Sequence, residues 1–70
     1  MKRVSLTKKR KELHLKSKDV AKSVGINPAH YSRIETGKNN PSLDIAIIIA
    51  KFYKVEVAEF ENLFKKDDNK

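Results

Sequence analysis

Apolar side chains recur at helical spacing along most of the chain, and turn-forming residues separate the segments. The first set predicts a helix over about residues 5–13, and the hydroxyl of Ser5 or Thr7 is suited to cap its start. Its apolar positions are Val4, Leu6, Leu13 and Leu15, together with the stem of Arg10. A second helix is predicted over about 17–24, where one narrow apolar face consists of Val20, Ala21 and Val24.

The two glycines of the chain bracket a third predicted helix. Gly25 is suited to end the second helix, because glycine adopts the left-handed conformation of a helix C-terminus without a steric penalty. Asn27 then caps the next helix, and Pro28 is preset for its first turn. That helix ends at Gly37, so it spans about residues 28–36. The pattern is helix, tight turn and short helix.

The third helix has an inward and an outward face. Tyr31 and Ile34 lie three residues apart and are expected to point inward. The outward residues are Ala29, His30, Ser32, Arg33 and Thr36. A helix of about nine residues is unstable alone in water, so the rest of the domain must hold it.

The remaining apolar segments predict two more helices. After a loop at 39–41, Ser42 caps a fourth helix that runs to about Tyr53 and, being apolar nearly all round, is expected to be buried centrally. A strand is the alternative for so β-branched a run, but its length and the Pro-Ser start favour a helix. Apolar residues at 57, 60, 63 and 64 predict a fifth helix over about 57–64. We therefore expect an all-α, compact five-helix domain over residues 1–64 and a disordered tail over 65–70.

Positive charge is concentrated in the first part of the chain. The net charge is +7, and residues 1–40 contain eleven Lys or Arg against three Asp or Glu, whereas residues 41–70 contain five against six. The whole excess therefore lies in the part that contains the helix, turn and helix. Such a basic field favours a polyanionic partner, of which nucleic acid is the usual one. The alternative is a lysine-rich face that serves only solubility.

Composition limits the other classes of function. The 70 residues suffice for one small domain, and the lack of cysteine removes disulfides and thiolate metal sites and suits a reducing cytoplasm, where we expect the protein. The longest apolar run, IAIIIA at 45–50, is too short to span a bilayer, and the N-terminus lacks the apolar stretch of a signal peptide. Only His14 and His30 are histidines, the carboxylates are scattered, and there is no Gly-rich phosphate loop. We therefore expect no catalytic residues, metal, cofactor or small-molecule ligand.

A resemblance to a known family covers about residues 4–64. Its most specific part is DVAKSVGINPAHYSRIETGKNNPSLDIAIIIAKFYKV, which resembles the Cro and lambda-repressor type of helix-turn-helix domain, the XRE family. The matching features are Ala21, Gly25, the SRIE tetrapeptide 32–35, Gly37, Lys38 and the Asn-Pro-Ser start of the fourth helix. The resemblance implies a lambda-repressor-like DNA-binding domain whose helix-turn-helix spans about 17–36.

By this resemblance, the third helix, hereafter the reading helix, enters the major groove of DNA with its N-terminal residues toward base edges. The positions that would face base edges are Asn27, Pro28, Ala29, His30, Ser32 and Arg33. Arg33 is the best candidate for direct readout, because a guanidinium can pair with the O6 and N7 atoms of guanine. Its alternative role is a phosphate contact. Pro28 offers no hydrogen-bonding group where relatives often place one.

The resemblance also implies phosphate contacts and a structural ion pair. The phosphate candidates are Lys9, Lys16, Ser17, Lys18, Thr36, Lys38, Asn39 and Asn40. Ser17 stands where relatives often have glutamine, and its alternative role is to cap the second helix. Arg10 and Glu35 match a partly buried ion pair that fixes the reading helix against the first helix in several relatives.

Several positions have expected backbone roles. Ala21 is small where the second and third helices cross, and a larger side chain there or at Gly25 is expected to separate them. Lys54 stands where relatives usually have a helix-ending glycine, so either it adopts a left-handed conformation or the helix ends differently. Glu56 stands where a Ser or Asp cap is common.

The expected function is sequence-specific binding of double-stranded DNA by a transcription regulator. A repressor that occupies its operator as a homodimer is the simplest mechanism, because two reading helices about one turn of DNA apart multiply affinity. The residues considered for the dimer interface are Ile47, Tyr53, Val55, Val57, Phe60 and Phe64, and core packing is an equally good account of most of them.

Two other classes of partner are alternatives to DNA. The alternative function is a protein-interaction module such as an antitoxin, with DNA binding secondary. A helix that lies on a membrane is disfavoured, since residues 8–18 lack a wide apolar face.

Overall fold

Five helices make up the described part of the chain, which in this computed structural model is residues 2–67. The elements are α1 (Val4–Glu12), α2 (Ser17–Val24), α3 (Pro28–Thr36), α4 (Leu43–Phe52), a 3₁₀ turn (Val57–Glu59) and α5 (Phe60–Phe64). Residues 2–67 contain no strand, so the all-α prediction is confirmed, as are the bounds of α2 and α3. Within the same range, no helix has the length and apolar character needed to cross a bilayer.

The first four helices end in the same way, with one left-handed residue followed by a residue that bonds back to the helix. The φ angles are +58° at His14, +78° at Gly25, +83° at Gly37 and +57° at Lys54. The following N–H donates to the carbonyl five positions earlier, from Leu15 to Arg10, Ile26 to Ala21, Lys38 to Arg33 and Val55 to Ala50. This is the Schellman motif, which satisfies carbonyls at a helix end. One device thus ends four helices, although the chain has only two glycines.

Glycine is needed at Gly25 for its dihedral angle and not for space. A Cβ atom built there meets no other atom within 4 Å, so the expectation that a side chain at this position would separate α2 and α3 is wrong. Ala21, in contrast, is fully buried. Lys54 adopts the left-handed conformation, which was the first of the two alternatives given for this position. His14 is also left-handed, which the sequence does not indicate.

The core lies between α1, the α2–α3 pair and the α4–α5 segment. Its fully buried large side chains are Leu6, Val20, Tyr31, Ile34 and Ile49, and Leu63 of α5 closes it. The inward orientation of Tyr31 and Ile34 is therefore confirmed. Ser42 caps α4 as predicted, with its Oγ accepting the N–H of Ile45 at 3.2 Å.

The structure corrects the expectation that α4 is a buried central helix. Its inward residues are Ala46, Ile49 and Ala50. Leu43 is 70% exposed, and Ile47 and Ile48 also reach the surface. The reason is that α2 and α5 pack against one side of α4 and leave the other side uncovered.

Three residues predicted to be apolar positions of helices are instead at the surface. Val4 and Leu13 are about half exposed, because the inward face of α1 also carries polar groups, among them Thr7 and Arg10, which contact Glu35. Val57 is 93% exposed, because it begins the 3₁₀ turn and not a regular α-helix, so the helical spacing assumed for it does not apply.

The two ends of the described chain are joined by hydrogen bonds. Asp67 donates its N–H to the carbonyl oxygen of Lys2 at 2.9 Å, and its Oδ2 accepts the N–H of Val4 at 2.9 Å. The carboxylate of Asp67 therefore accepts an N–H of the first turn of α1, and the expected cap from Ser5 or Thr7 is not formed. Of the tail predicted over 65–70, residues 68–70 lie outside the described part.

Replacing Lys54 by glycine should stabilise the protein by about 1 kcal/mol, because glycine adopts a positive φ without the clash of a Cβ atom. The free energy of unfolding, from urea titration at neutral pH, measures the gain. The matched control is Lys51→Gly within α4, which should destabilise by about 1 kcal/mol, since a helical glycine loses more backbone entropy. A Lys54→Gly variant less stable than the wild type would contradict the strain assigned here.

Candidate nucleic-acid interface

The outward face of the reading helix α3 is open to solvent. The exposed residues are Asn27, Pro28, Ala29, Ser32 and Arg33, and His30 is half-buried. The buried residues of α3 are Tyr31, Ile34 and Glu35. Arg33 forms no ion pair with any residue of the described range 2–67. The structure thus brings the six residues predicted to face base edges to the start and outer side of one helix.

Asn27 and Pro28 fix the start of α3. The Oδ1 atom of Asn27 accepts the N–H of Ala29 at 2.8 Å, and Pro28 occupies the first helical position. Pro28 has no N–H and that of Ala29 is used, so this helix start has few free donors for a phosphate. The cap uses only the oxygen of Asn27, and its amide nitrogen is a donor at the exposed end.

Arg10 and Glu35 form an ion pair between α1 and α3. The Nε atom of Arg10 lies 2.8 Å from Oε2 of Glu35, and its Nη2 lies 3.2 Å from Oε1. Thr7 Oγ1 donates to Oε1 at 2.9 Å, and Arg10 Nη1 donates to the carbonyl of Leu15 at 3.0 Å. The structure therefore brings the two predicted partners together and adds Thr7 and Leu15 to the network.

The charge state of Glu35 reflects two opposed effects. Burial alone raises the pKa of this carboxyl, but Arg10, Tyr31 and Thr7 outweigh burial and hold the pKa below its ordinary value of 4.5. The hydrogen bond to Glu35 in turn raises the pKa of Arg10. Both groups are therefore charged at neutral pH.

Two tyrosine hydroxyls meet inside the core. The hydroxyl oxygens of Tyr31 in α3 and Tyr53, the residue that follows α4, lie 2.6 Å apart. Burial is the main cause that raises the pKa of Tyr31, and it raises the pKa of Tyr53 to about 12. Tyr53 is only 6% exposed, so it is removed from the set of residues expected at a dimer interface. Its hydroxyl ties α4 to the reading helix within one monomer.

Arg3 is a buried residue of this region that sequence reasoning missed. It is 4% exposed, and its backbone N–H donates to the carbonyl of Glu35 at 2.7 Å. Its guanidinium donates to Ile34 O at 2.6 Å, Asn39 O at 2.9 Å, Asn40 Oδ1 at 2.8 Å and Phe64 O at 2.9 Å. Burial lowers the pKa of Arg3, yet an arginine remains protonated in a folded protein. As one of eleven basic residues in 1–40, it gave no sequence signal.

The start of α2 carries several of the predicted phosphate contacts. Lys16 is the N-cap residue and Ser17 is the first helical residue, so the alternative role of Ser17 as the cap is wrong. Asp19 Oδ2 accepts the N–H of Lys16 at 2.9 Å instead. Lys18 lines a shallow groove between α2 and the start of α3, together with Asp19, Lys22, Ile26 and Pro28. Lys22 was not among the predicted contacts, although it lies one helical turn from Lys18.

The loop after α3 holds a second set of phosphate candidates. Thr36 ends the helix, and Lys38, Asn39 and Asn40 follow. The N–H groups of Lys38 and Asn39 donate to the carbonyl of Arg33 at 2.9 and 3.1 Å. The Nδ2 atom of Asn39 lies 3.4 Å from Nδ1 of His30, so the loop contacts the reading helix directly.

Lys9 lies apart from the other phosphate candidates. It lines a cleft between α1 and the segment from the end of α4 to α5, with Lys54, Val55, Glu56 and Glu59 among its neighbours. None of the residues that line this cleft comes from α2 or α3. The phosphate role of Lys9 stays a prediction.

The residues around α3 are suited to binding a partner. Over residues 2–67, no three His, Asp or Glu side chains are grouped in a way that would hold a metal ion. What the surface offers is a short exposed helix with amide, hydroxyl and guanidinium groups, and with lysines on both flanks. Such a surface is typical of contacts with a polyanion.

Comparison with known proteins gives an independent result. A family model described as helix-turn-helix matches residues 6–60, which is well over half of the chain. The chain belongs to the helix-turn-helix family. A relative from Methanocaldococcus jannaschii, named as an uncharacterized HTH-type transcriptional regulator, is 38% identical over 56 residues that cover 80% of each chain. No solved structure matches the chain significantly.

In this helix-turn-helix protein the motif itself consists of α2, the turn at Gly25 and α3. The family is one of DNA-binding transcription regulators and not of enzymes. Three expectations are therefore confirmed. They are the resemblance to this family, the lambda-repressor-like fold and the expectation that the protein does not belong to an enzyme family.

Replacing Glu35 by glutamine should lower the free energy of unfolding at pH 7 by about 2 kcal/mol, because a hydrogen-bonded charge partner of Arg10 is lost. The folded pKa of Glu35 is depressed, so its stabilisation is present above about pH 4.5 and is lost as the pH falls through the folded pKa. The wild type and the variant should therefore converge in stability as the pH falls below 4.5 in urea titrations. Equal stability of the two at pH 7 would contradict a structural role for the pair.

Proposed function

We propose that this helix-turn-helix protein is a sequence-specific repressor that occupies a roughly palindromic operator as a homodimer. The observation that carries the proposal is the reading helix, whose outer side is exposed while its inner side is fixed by Glu35, Tyr31 and Ile34. A rigid element with free polar side chains is what groove recognition requires. Occupancy of a promoter would then block polymerase sterically.

The phosphate contacts of this proposal flank the reading helix on two sides. Lys16 and Lys18 lie at the start of α2, and Lys38 lies in the loop after α3. We add Lys22, because it shares the groove of Lys18 beside Pro28. Each phosphate neutralised by such a residue should contribute about −0.9 to the slope of log affinity against log salt. Binding that does not weaken with salt would contradict this arrangement.

Replacing Arg33 by alanine should remove the preference for one base step, because a bidentate pair with guanine contributes about 1–3 kcal/mol of discrimination. The operator is first selected from a pool of random duplexes, and the variant is then measured on the selected duplex and on its single-base changes. The matched control is Lys38→Ala, which should weaken all duplexes equally and reduce the salt slope by about one.

The same experiment distinguishes the two roles of Arg33. A uniform loss over all duplexes would assign the residue to a phosphate and not to a base. If the wild type retained no duplex from the pool, sequence-specific binding would be rejected.

The dimer is proposed to form through the α5 face, which we define as Val57, Phe60, Glu61, Phe64 and Lys65. Val57 is exposed, while Phe60 and Phe64 are half-buried with ring centroids 5.1 Å apart. Glu61 and Lys65 line a groove with these two rings. In an antiparallel pairing about a twofold axis, Glu61 of each copy would lie near Lys65 of the other, and charge complementarity would set the register.

Replacing Val57 by aspartate should convert the dimer to a monomer and weaken operator binding, because a charge would be buried within the interface formed by the α5 face. Sedimentation at micromolar concentration, with and without operator DNA, measures the change. Leu43→Asp on α4 is the matched control, since Leu43 is also an exposed apolar residue but lies outside the α5 face. A wild type that is monomeric with and without DNA would reject the homodimer.

A second candidate function is favoured by the exposed side of α4. Leu43, Ile47 and Ile48 present apolar surface on α4. Such a surface is suited to a protein partner, as in the interaction module considered from the sequence. A stoichiometric protein that copurifies from the native host with the wild type, but not with Leu43→Asp, would support this alternative.

A further inference from the structure

Arg3 connects three parts of the protein that are far apart in sequence. Its acceptors belong to the last turn of α3, to the loop that follows it and to the last residue of α5. All four side-chain acceptors are neutral oxygens, three of them backbone carbonyls. The carbonyls of α3 lie at its C-terminal end, where the helix dipole and the unpaired acceptors favour a cation.

The geometry requires an arginine. The four hydrogen bonds use all three nitrogens of the guanidinium, Nε, Nη1 and Nη2. Their acceptors belong to separate segments of the chain, at Ile34, at Asn39 and Asn40, and at Phe64. A lysine has its three donors on one nitrogen, so it cannot reach acceptors on opposite sides of a guanidinium. Arg3→Lys therefore keeps the charge of the protein and removes the connections.

The far end of the loop depends on these bonds for its orientation, because the near end is tied to α3 by other contacts. Its backbone N–H groups are tied to α3 only as far as Asn39, through the carbonyl of Arg33. Beyond that point, Arg3 holds the carbonyl of Asn39 and the Oδ1 atom of Asn40. Because Oδ1 of Asn40 is occupied, its Nδ2 donor is left for an outside acceptor such as a phosphate oxygen.

We infer that Arg3 is a positioning residue for DNA binding, which fixes Asn39 and Asn40 relative to the reading helix so that the loop and the helix contact one duplex together. The inference rests on the proposed function. Arg3 itself is buried, so its role in this inference needs no contact of its own with DNA. Its contribution is to remove the freedom that the loop would otherwise lose on binding.

Asp67 supports Arg3 from the other end of the chain. It bonds to the carbonyl of Lys2 and to the N–H of Val4, which are the two neighbours of Arg3 in sequence. The loss of its carboxylate should loosen Arg3. By charge alone, however, removing an acid from a DNA-binding protein strengthens binding to DNA. The two effects have opposite signs, so Asp67→Ala separates positioning from simple electrostatics.

The first test compares DNA affinity of the wild type and Arg3→Lys at a temperature where circular dichroism shows both to be folded. The affinity of Arg3→Lys should fall about tenfold, and the salt slope should lose about one phosphate contact. The control is Ala58→Gly, which lowers stability at an exposed and uncharged position of the 3₁₀ turn away from the loop and should leave affinity unchanged. A role of Arg3 in stability alone would give Arg3→Lys the same affinity and slope as this control, and that result would overturn the inference.

If Arg3→Lys does not fold, Asp67→Ala decides. Its matched control is Glu12→Ala, which removes one exposed acid at the end of α1 and should bind DNA as well as the wild type or better. Weaker binding by Asp67→Ala than by Glu12→Ala supports the inference, and equal or tighter binding overturns it. A wild type that binds no duplex at all would reject the proposed function instead, together with everything that rests on it.

Discussion

The protein depends on the polar contacts that hold one short helix from behind. The reading helix has nine residues and cannot persist alone, and its inner side contains a carboxylate and a hydroxyl as well as an isoleucine. Burying Glu35 and Tyr31 without partners would cost more than the burial of Ile34 returns. Arg10, Thr7 and Tyr53 supply these partners, and Arg3 satisfies the carbonyls at the end of the helix. The orientation of the outer side follows from these contacts.

Features that are local in sequence were predictable, because a few residue types determine them. Asn27, Pro28 and Gly37 set the bounds of α3, and Ser42 sets the start of α4. The pairing of Arg10 with Glu35 was also expected, but through a resemblance and not from spacing. Two of the four left-handed helix ends have no glycine, and there the local rules are insufficient: Lys54 leaves two alternatives, and His14 gives no indication of its left-handed backbone.

The features that were missed are those that depend on distant contacts. Arg3 bonds to Phe64 across 61 positions, and Tyr31 bonds to Tyr53 across 22. Neither distance produces a pattern that periodicity can detect. The exposure of α4 was misjudged for a related reason, since hydrophobicity shows that a side chain prefers burial but not whether a neighbouring helix is present to cover it. Leu43 and Ile48 are therefore exposed although both are strongly apolar.

The tyrosine pair has a practical consequence for spectroscopy. The chain has no tryptophan and two tyrosines, and both tyrosines belong to the buried contact between the reading helix and the end of α4. The near-ultraviolet absorbance and emission of the protein therefore originate mainly at this single junction. The chain thus contains an intrinsic optical reporter of whether its reading helix is docked, and no label needs to be attached to follow that docking during unfolding or titration.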